Sequence, residues 1–447
     1  MAASLFDSAI YRDLVTDRDT AQLFSDTAEV RAMLLVEGAL ARAQGALGLI
    51  PETAAAAIHR ASLELQLDPA GLAAGAGQGG VPVPALVEAF RSAMQAPEHS
   101  QWVHFGATSQ DIMDTALVLR LRQVLALAER RLGALLAALA RLAEAHAELP
   151  MAGRTWGQAA TPTTFGAVVA AWGRPLLALH DRLAPLRAGL LTVSLAGAAG
   201  TLSAMGPRGP EVRARLAEGL GLADPGGPWH SDRQPIAELS TWATQVTGAL
   251  AKMGDDLVLL AQTGLGEIRL AGTGGSSTMP QKQNPVLPAL LVALAGHTAA
   301  LNGAVQAGLV HRQQRDGAAW IGEWLSLPQI CLGLNRALAA AGEVAAGLAP
   351  DPERMRANID DGTGLIYAEA LSFRLATAMP RPEAQSRVEA LCARVTAESR
   401  SLVDLAAEAF PDFHLDGLFT PAPHLGTAPA DARTFATTAR TRAAAIG

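Results

Sequence analysis

The spacing of apolar residues is the feature that most limits the folds open to this 447-residue chain. Over long stretches they recur at intervals of three and four residues, which places them on one face of an α-helix. Alternating β-branched runs and hairpin dipeptides are nearly absent, so strand signals are weak. The pattern predicts an all-α chain built on an elongated bundle of long helices. The predicted long helices cover residues 24–48, 114–149, 163–186, 235–268, 286–310 and 320–348.

Proline-rich breaks divide this helical pattern. They fall near residues 82–84, 97–98, 207–228 and 349–352, where proline removes a backbone donor and disfavours a continuing helix. From these breaks we predict three domains. They are an N-terminal helical domain over residues 1–100, a central long-helix bundle over 101–350 and a C-terminal helical domain over 351–447.

Two uncharged stretches, residues 188–206 and 286–310, are long enough to cross a membrane. The first is rich in glycine, serine and threonine, and the second contains His297. The rest of the chain has the character of a soluble protein. We therefore expect both stretches to be buried segments of a large helical core, where a helix can be apolar on all sides.

The charge pattern argues against nucleic acid and anionic membranes as partners. Formal net charge is −7, and no run of basic residues occurs. The two cysteines, Cys331 and Cys392, lie in no Cys-x-x-Cys motif and beside no histidine cluster, which argues against a disulfide framework or a zinc site. No nucleotide-binding glycine motif, metal triad or signal-peptide pattern is found. We expect a small-molecule ligand, no cofactor, no metal and a cytoplasmic location.

The loop over residues 272–285, with the sequence GTGGSSTMPQKQNP, carries an unusual lysine. Of the 35 lysines and arginines only two are lysines, Lys252 and Lys282. Lysine offers a compact, titratable charge, whereas arginine offers a permanently charged planar fork. A chain that otherwise uses arginine is therefore expected to need an ammonium group at Lys282. The alternative is an ordinary glycine-rich surface loop.

Four further polar segments interrupt the helices, at residues 104–115, 153–162, 228–233 and 311–316. In the first, Thr108 and Ser109 either cap a helix or offer hydroxyls and amides to a carboxylate. The second, by itself, is a loop that leads into a helix. The third is either a helix cap with a surface arginine or part of a site, and the fourth is either a solvated face or a substrate contact.

Together these segments resemble the fumarase/aspartase superfamily. The matching motifs are Thr108-Ser109-x-Asp111, Gly153-Arg154-Thr155 with Gln158 and Pro162, and Gly275-Ser276-Ser277-x-Met279-Pro280-x-Lys282-x-Asn284-Pro285. The resemblance covers roughly residues 5–440. It implies an all-helical three-domain fold with a central long-helix bundle, a homotetramer, and active sites that combine segments from three subunits.

The resemblance also implies a chemistry, in which a bond β to a carboxylate is made or broken through an aci-carboxylate intermediate. By motif match Ser276 is the acid or base, and Lys282, oriented by Asn284, stabilises its alkoxide together with loop amides. The expected substrate-binding residues are His104, Thr108, Ser109, Arg154, Trp156, Gln158, Arg233, Ser277, Met279 and Arg315.

Trp156 departs from the usual superfamily pattern. Many members have a histidine after Gly-Arg-Thr that binds substrate or protonates the leaving group. A carboxylate leaving group needs no proton, because its pKa of about 4 makes it a stable anion. Trp156, the 228–233 segment and the 197–201 run therefore resemble the lactonizing branch. Its cycloisomerases convert 3-carboxy-cis,cis-muconate to 4-carboxymuconolactone in the β-ketoadipate pathway of protocatechuate degradation.

Two alternatives remain open at this point. One is an adenylosuccinate lyase-like β-elimination that releases fumarate from a succinyl substrate, which Trp156 argues against. The other is a non-catalytic, crystallin-like structural protein. Retention of Ser276, Lys282 and Asn284 together argues against the second, because a purely structural loop does not need this trio.

Overall fold

The computed structural model describes residues 4–271, 274–275 and 278–445, which form two compact helical units. Unit one is built from the chain up to Arg131 together with Leu179–Gly248 and Ala293–Ala339. Unit two is built from Leu132–Ala178, Ala249–Val292 and the chain from Ala340 onward. The prediction of an all-α fold is confirmed, and the division into three domains stays a prediction.

Nineteen α-helices occur in the described residues. They are α1 (Arg12–Val15), α2 (Arg18–Leu23), α3 (Asp26–Ala46), α4 (Glu52–Glu64), α5 (Ala73–Gly79), α6 (Val83–Met94), α7 (Pro97–Ser100), α8 (Ser109–Ala145), α9 (Phe165–Asp181), α10 (Leu183–Leu190), α11 (Gly209–Leu220), α12 (Gln234–Leu260), α13 (Val286–Ala307), α14 (Gly317–Gly347), α15 (Pro352–Ala357), α16 (Ala368–Leu375), α17 (Arg381–Glu398), α18 (Leu402–Ala409) and α19 (Ala428–Ala444). Short 3₁₀ helices lie at Leu5–Asp7, Pro69–Leu72, Ser203–Arg208, Leu365–Tyr367 and Ala422–His424.

The predicted long helices are present, with shifts at their ends. Helix α3 begins after Ser25, whose hydroxyl accepts a hydrogen bond from the Ala28 amide at 3.3 Å, as expected of an N-cap. Helix α8 begins five residues before the predicted start, at Ser109. Two predictions deviate most: the first two residues of 163–186 belong to a strand and its helix is interrupted at Arg182, and the helix predicted over 235–268 ends at Leu260.

Six short strands pair antiparallel in twos, at β1 (Pro150–Thr155) with β2 (Gln158–Thr164), β3 (Ile268–Leu270) with β6 (Leu348–Pro350), and β4 (Gly274–Gly275) with β5 (Gln283–Asn284). The interpretation of residues 153–162 as a loop is therefore wrong. Trp156 and Gly157 have φ angles of 54° and 76°, and two positive φ values in a two-residue turn close a twisted hairpin.

The two apolar stretches of membrane-spanning length differ from the expectation. Residues 188–206 do not form one helix, since α10 ends at Leu190 and a 3₁₀ helix follows at Ser203–Arg208. Among the described helices α13 is the one long and apolar enough to span a membrane, yet only 28% of its most apolar window is buried. The expectation of a fully buried core helix is wrong for α13. Its exposed face carries small residues, at Ala289, Gly296, Ala300, Gly303 and Ala307, together with the larger apolar Val292.

The core of unit one fixes the start of α8. Buried side chains from α3, α4 and α6, among them Val36, Ile58 and Phe90, pack in one cluster with Ile112 of α8. Fully burying an aliphatic or aromatic side chain of this size contributes about 1.5–3 kcal/mol. The first turn of α8 is therefore held rigidly against the rest of unit one.

Candidate active site

The loop before α8 is held in an unusual conformation by one buried carboxylate. His104 and Gly106 have φ angles of 64° and 73°. Asp111 is fully buried, and its Oδ2 accepts hydrogen bonds from the amides of Thr108 and Gly197, both at 3.0 Å. Its Oδ1 accepts one from the Ala196 amide at 2.8 Å and lies 2.8 Å from His230 Nε2. Asp111 thus joins the start of α8 to the 196–197 segment and is satisfied within the protein.

Thr108 keeps its hydroxyl for a different contact. Arg315 Nη2 donates to Thr108 Oγ1 at 3.1 Å, and its distance to the Ala198 carbonyl oxygen is 3.5 Å. The buried Nε of Arg315 has no hydrogen-bond partner among the described residues. No carboxylate in the described part of the chain forms an ion pair with this guanidinium, so it retains the capacity to bind an anion beside the hydroxyls of Thr108 and Ser109.

His104 lies on the same loop and has a buried acidic partner. Its Nδ1 is 2.7 Å from Oε1 of Glu37, which is on α3 and almost wholly buried. Burial opposes the charged form of His104, but the hydrogen bond and charge of Glu37 outweigh it, so the pKa of His104 is raised. The loop before α8 and the start of that helix thus lie in unit one with four expected site residues, His104, Thr108, Ser109 and Arg315.

Arg233 requires a correction. It was expected to hold a substrate carboxylate, but it is 2% exposed and bonded by both oxygens of Asp114, at 2.8 and 3.1 Å, and both oxygens of Glu323, at 2.7 and 2.9 Å. Its guanidinium also lies over the Trp229 ring, 4.7 Å from the centroid. Burial disfavours its charge, yet Asp114 and Glu323 outweigh burial and raise the pKa of Arg233. Arg233 is therefore a structural residue of unit one, and the surface-arginine alternative is also wrong.

Arg154 is also committed to a carboxylate. Its two terminal nitrogens donate to both oxygens of the buried Glu267 at 2.9 and 2.7 Å, and Asn358 donates to the same carboxylate at 3.0 Å. This bidentate pair anchors the β1–β2 hairpin in unit two. This pair gives Arg154 an anchoring role, and its expected contact with a substrate carboxylate stays a prediction.

The hairpin tip carries the tryptophan that distinguishes the chain. Trp156 is 101% exposed, and Gln158 is exposed beside it at the start of β2. A large aromatic side chain so fully in solvent is unusual, because burying it would release its apolar surface from water. The ring of Trp156 is therefore not buried by the described residues of this chain, and its expected contact with substrate stays a prediction.

The glycine-rich loop of unit two is closed by β4 and β5, where Gly274 pairs with Asn284 and Gly275 with Gln283. Lys282 is exposed, and its amide donates to the Met279 carbonyl oxygen at 3.0 Å. Met279 is exposed and Asn284 is half-buried. The predicted acid or base Ser276 and the predicted contact Ser277 lie outside the described residues, and the roles of Lys282 and Asn284 stay predictions.

The structure therefore distributes the expected site residues over three groups. The helix start in unit one brings His104, Thr108, Ser109 and Arg315 together, while unit two carries the hairpin group and the loop group separately. Glu37 was missed from the sequence, although an acidic residue between Val36 and Gly38 on the apolar face of a helix was a usable signal. No cluster of metal-binding side chains occurs among residues 4–271, 274–275 and 278–445.

Comparison with known proteins decides the family. A family model described as a lyase matches residues 9–299. The chain belongs to this lyase family. It is 42% identical over 421 residues to the 3-carboxy-cis,cis-muconate cycloisomerase of Pseudomonas aeruginosa, covering 91% of each chain. It is also 37% identical to the nitrosuccinate lyase of Streptomyces davaonensis, covering 96% of this chain and 94% of the relative.

Solved structures agree with the sequence relatives. The crystal structure of the 3-carboxy-cis,cis-muconate lactonizing enzyme from Pseudomonas putida superposes with a TM-score of 0.91 at 36% identity. It covers 97% of this chain and 100% of that one. The resemblance to the fumarase/aspartase superfamily, inferred from the motifs, is confirmed.

Proposed function

We propose that this lyase-family chain is a cycloisomerase that converts 3-carboxy-cis,cis-muconate to 4-carboxymuconolactone. The observation that carries the proposal is Trp156, which stands at the tip of the hairpin where many superfamily members place a histidine. An indole N–H does not serve as a general acid, so the chemistry must not need a protonated leaving group. A lactone carboxylate meets that requirement, whereas the amine released by a succinyl-amine lyase does not.

The reaction is an internal addition in which atoms and charge balance. One carboxylate of the substrate attacks the ring-forming alkene carbon, and a C–O bond forms. The alkene electron pair moves onto the neighbouring carboxylate, which becomes an aci-carboxylate, and Ser276 then delivers a proton to the α-carbon. The serine alkoxide takes up a proton from solvent, so the trianionic substrate and one proton give the dianionic lactone. Lys282 is expected to stabilise both the serine alkoxide and the developing charge. The product is an isomer of the substrate, and the proposed mechanism requires no cofactor.

The geometry at the start of α8 supports this proposal, because it offers a substrate with three carboxylates suitable partners. Arg315 retains an unpaired Nε, and Glu37 favours the charged form of His104. The hydroxyls of Thr108 and Ser109 stand at a helix N-terminus, whose dipole favours anions. Arg233, which is enclosed by the four oxygens of Asp114 and Glu323, does not supply charge in this scheme.

The proposed site is completed by other copies of the chain in a homotetramer. Two features support this: α13 exposes a face of small residues, and Trp156 projects into solvent. Small side chains allow helices to approach closely, and an exposed apolar face of this length favours burial against another chain. Cytoplasmic location stays an expectation from the sequence.

The first test is loss of the ultraviolet absorbance of 3-carboxymuconate when purified protein is added. Ser276→Ala is expected to lower kcat about 100- to 10,000-fold, the usual contribution of a general acid or base. Adenylosuccinate is the counter-substrate, and fumarate formation from it would favour the succinyl-lyase alternative. If 3-carboxymuconate is unchanged at high enzyme concentration, the cycloisomerase assignment is refuted.

The assembly is tested separately. Ala300→Glu places a charge on the exposed face of α13 and is expected to lower the molar mass measured by light scattering. Ala56→Glu, at an exposed position of α4, is the matched control and should leave the molar mass unchanged. Mixed assemblies of Ser276→Ala and Arg315→Gln chains should regain part of the activity if different chains supply the two residues. A monomeric and fully active wild-type protein would contradict the shared-site proposal.

A further inference from the structure

A cavity of about 220 Å³ lies in unit one and runs along α8 from Met113 and Asp114 to Arg120. Its walls come from α8 and α14, and residues near the start of α3 close it. Arg120, at its far end, is eleven residues beyond Ser109, which is roughly 16 Å along a helix that rises 1.5 Å per residue. The apolar liners are Phe24, Pro82, Met113, Leu117, Trp320, Trp324, Leu327 and Pro328.

Two of the three acidic liners are already satisfied within the protein. Both oxygens of Asp114 and both of Glu323 accept hydrogen bonds from Arg233. Asp114 accepts further bonds from Trp320 Nε1 at 3.3 Å and Gln110 Nε2 at 3.1 Å. These carboxylates therefore have little remaining capacity to attract a cationic ligand.

Arg120, in contrast, is a buried cation with too few partners. It is 7% exposed, and its ion-pair contact is a 3.5 Å approach of Nη1 to Glu29. Its Nε has no hydrogen-bond partner among the described residues, and its guanidinium lies 5.6 Å from the centre of the Phe24 ring. A buried guanidinium with one long ion-pair contact costs free energy, part of which a carboxylate at its terminal nitrogens would recover.

The electrostatics of Arg120 agree with this reading. Burial lowers the pKa of Arg120, and the charge and hydrogen bond of Glu29 do not offset that effect. The guanidinium nevertheless stays protonated at neutral pH, because arginine does not lose its proton in proteins. The cavity thus presents a buried guanidinium with one long ion-pair contact to Glu29, beside the carboxylates of Asp114 and Glu323, which are already paired with Arg233.

We propose that this cavity binds a small aromatic monocarboxylate, with its carboxylate on Arg120 and its ring against Trp320, Trp324 and Leu117. Aromatic walls favour an aromatic ring through edge-to-face contacts, and Trp320 and Trp324 already pack edge-on with centroids 4.7 Å apart. The volume is below the ~300 Å³ typical of the smallest drug-sized pockets. A second carboxylate would be buried without a partner, which excludes a tricarboxylate such as the proposed substrate.

Benzoate is the probe, and its binding is followed by calorimetry and by tryptophan fluorescence, because Trp320 and Trp324 line the cavity. Wild-type protein is expected to bind benzoate saturably at millimolar concentration. Arg120→Gln should weaken the binding about 10- to 100-fold, the loss expected for a hydrogen bond to a charged group. Arg60→Gln, at an exposed arginine of α4, is the matched control and should leave benzoate binding unchanged.

A second variant keeps the test decisive if Arg120→Gln does not fold. Leu117→Phe fills the cavity, leaves Arg120 in place and should abolish benzoate binding. Benzamide, which has the same ring without the charge, should bind much more weakly than benzoate. Three outcomes would overturn the proposal: no saturable binding to wild-type protein, unchanged binding to the Leu117→Phe variant, or displacement of benzoate by 3-carboxymuconate. Because the experiment measures binding, its result does not depend on whether the protein has the proposed cycloisomerase activity.

Discussion

Arg233 and Arg315 belong to the same compact unit and both carry the sequence signature of a substrate-binding arginine, but their surroundings differ. Arg233 is held by the four oxygens of Asp114 and Glu323, whereas Arg315 meets the Thr108 hydroxyl and keeps an unpaired Nε. The number of carboxylates around a guanidinium, and not its place in a polar motif, therefore separates a structural arginine from one able to bind an anion. Substitutions at these positions test that distinction.

The largest effect is expected at Arg233, and it should be on stability. Arg233→Met leaves two carboxylates buried without a cation, and breaking such a buried network costs about 3–5 kcal/mol. Urea denaturation measures the free energy of unfolding directly. Lys252→Met is the control, because Lys252 pairs with Asp256 at the surface, where an ion pair contributes at most about 1 kcal/mol. Equal losses of unfolding free energy in the two variants would contradict the distinction between a structural arginine and an ordinary surface cation.

Arg315→Gln should have the opposite profile. Its unfolding free energy should stay near the wild-type value, because no described carboxylate is left unpaired. For 3-carboxymuconate, kcat/KM should fall about 10- to 100-fold, since a hydrogen bond to a charged group contributes about 1.5–3 kcal/mol. Steady-state kinetics and urea denaturation on the same preparation provide both numbers. A stability loss as large as that of Arg233→Met would show that Arg315 is structural as well.

Glu37→Gln tests His104, the other cation at the start of α8, and should change substrate affinity less than Arg315→Gln does. The pKa of His104 is raised in the folded protein, so the imidazolium is fully present below its ordinary pKa of 6.5 and is lost as pH rises through the raised value. Substrate affinity and the stability contributed by this pair should therefore decline on the alkaline side. With Gln at position 37, the decline in affinity should begin at lower pH.

The measurement for Glu37→Gln is the pH profile of KM, with kcat followed in parallel. A residue that acts by keeping His104 charged shifts the pH at which KM rises. A residue that only packs lowers activity equally at every pH. Glu37→Asp, which keeps the charge, should retain part of the wild-type profile. A profile that does not move in Glu37→Gln would remove His104 from the set of charged substrate contacts.

Local patterns reveal some of this architecture and miss the rest for physical reasons. Apolar periodicity is a property of neighbouring residues, so the long helices could be predicted, and so could the motif around Lys282. The partners of Arg233 are 119 and 90 residues away in sequence, and no local pattern identifies them. The hairpin was missed because a tryptophan at positive φ gives no Asn-Gly signal. Helix α13 was interpreted as a core helix because apolar composition does not distinguish a face covered by the same chain from one covered by another chain.

The smallest effect is expected at Arg312, three residues before Arg315 in the same polar segment. Arg312 pairs with Asp316, but its side chain is 76% exposed, and water screens such a pair. Asp316 is itself buried, but it also accepts hydrogen bonds from the amides of Arg312 at 3.2 Å and Ala318 at 3.0 Å, which remain when the arginine side chain is replaced. Arg312→Gln should therefore leave both kcat/KM and the urea midpoint close to wild type. If it instead matched Arg315→Gln in kinetics, the sequence segment as a whole, and not the pairing of each arginine, would determine anion binding.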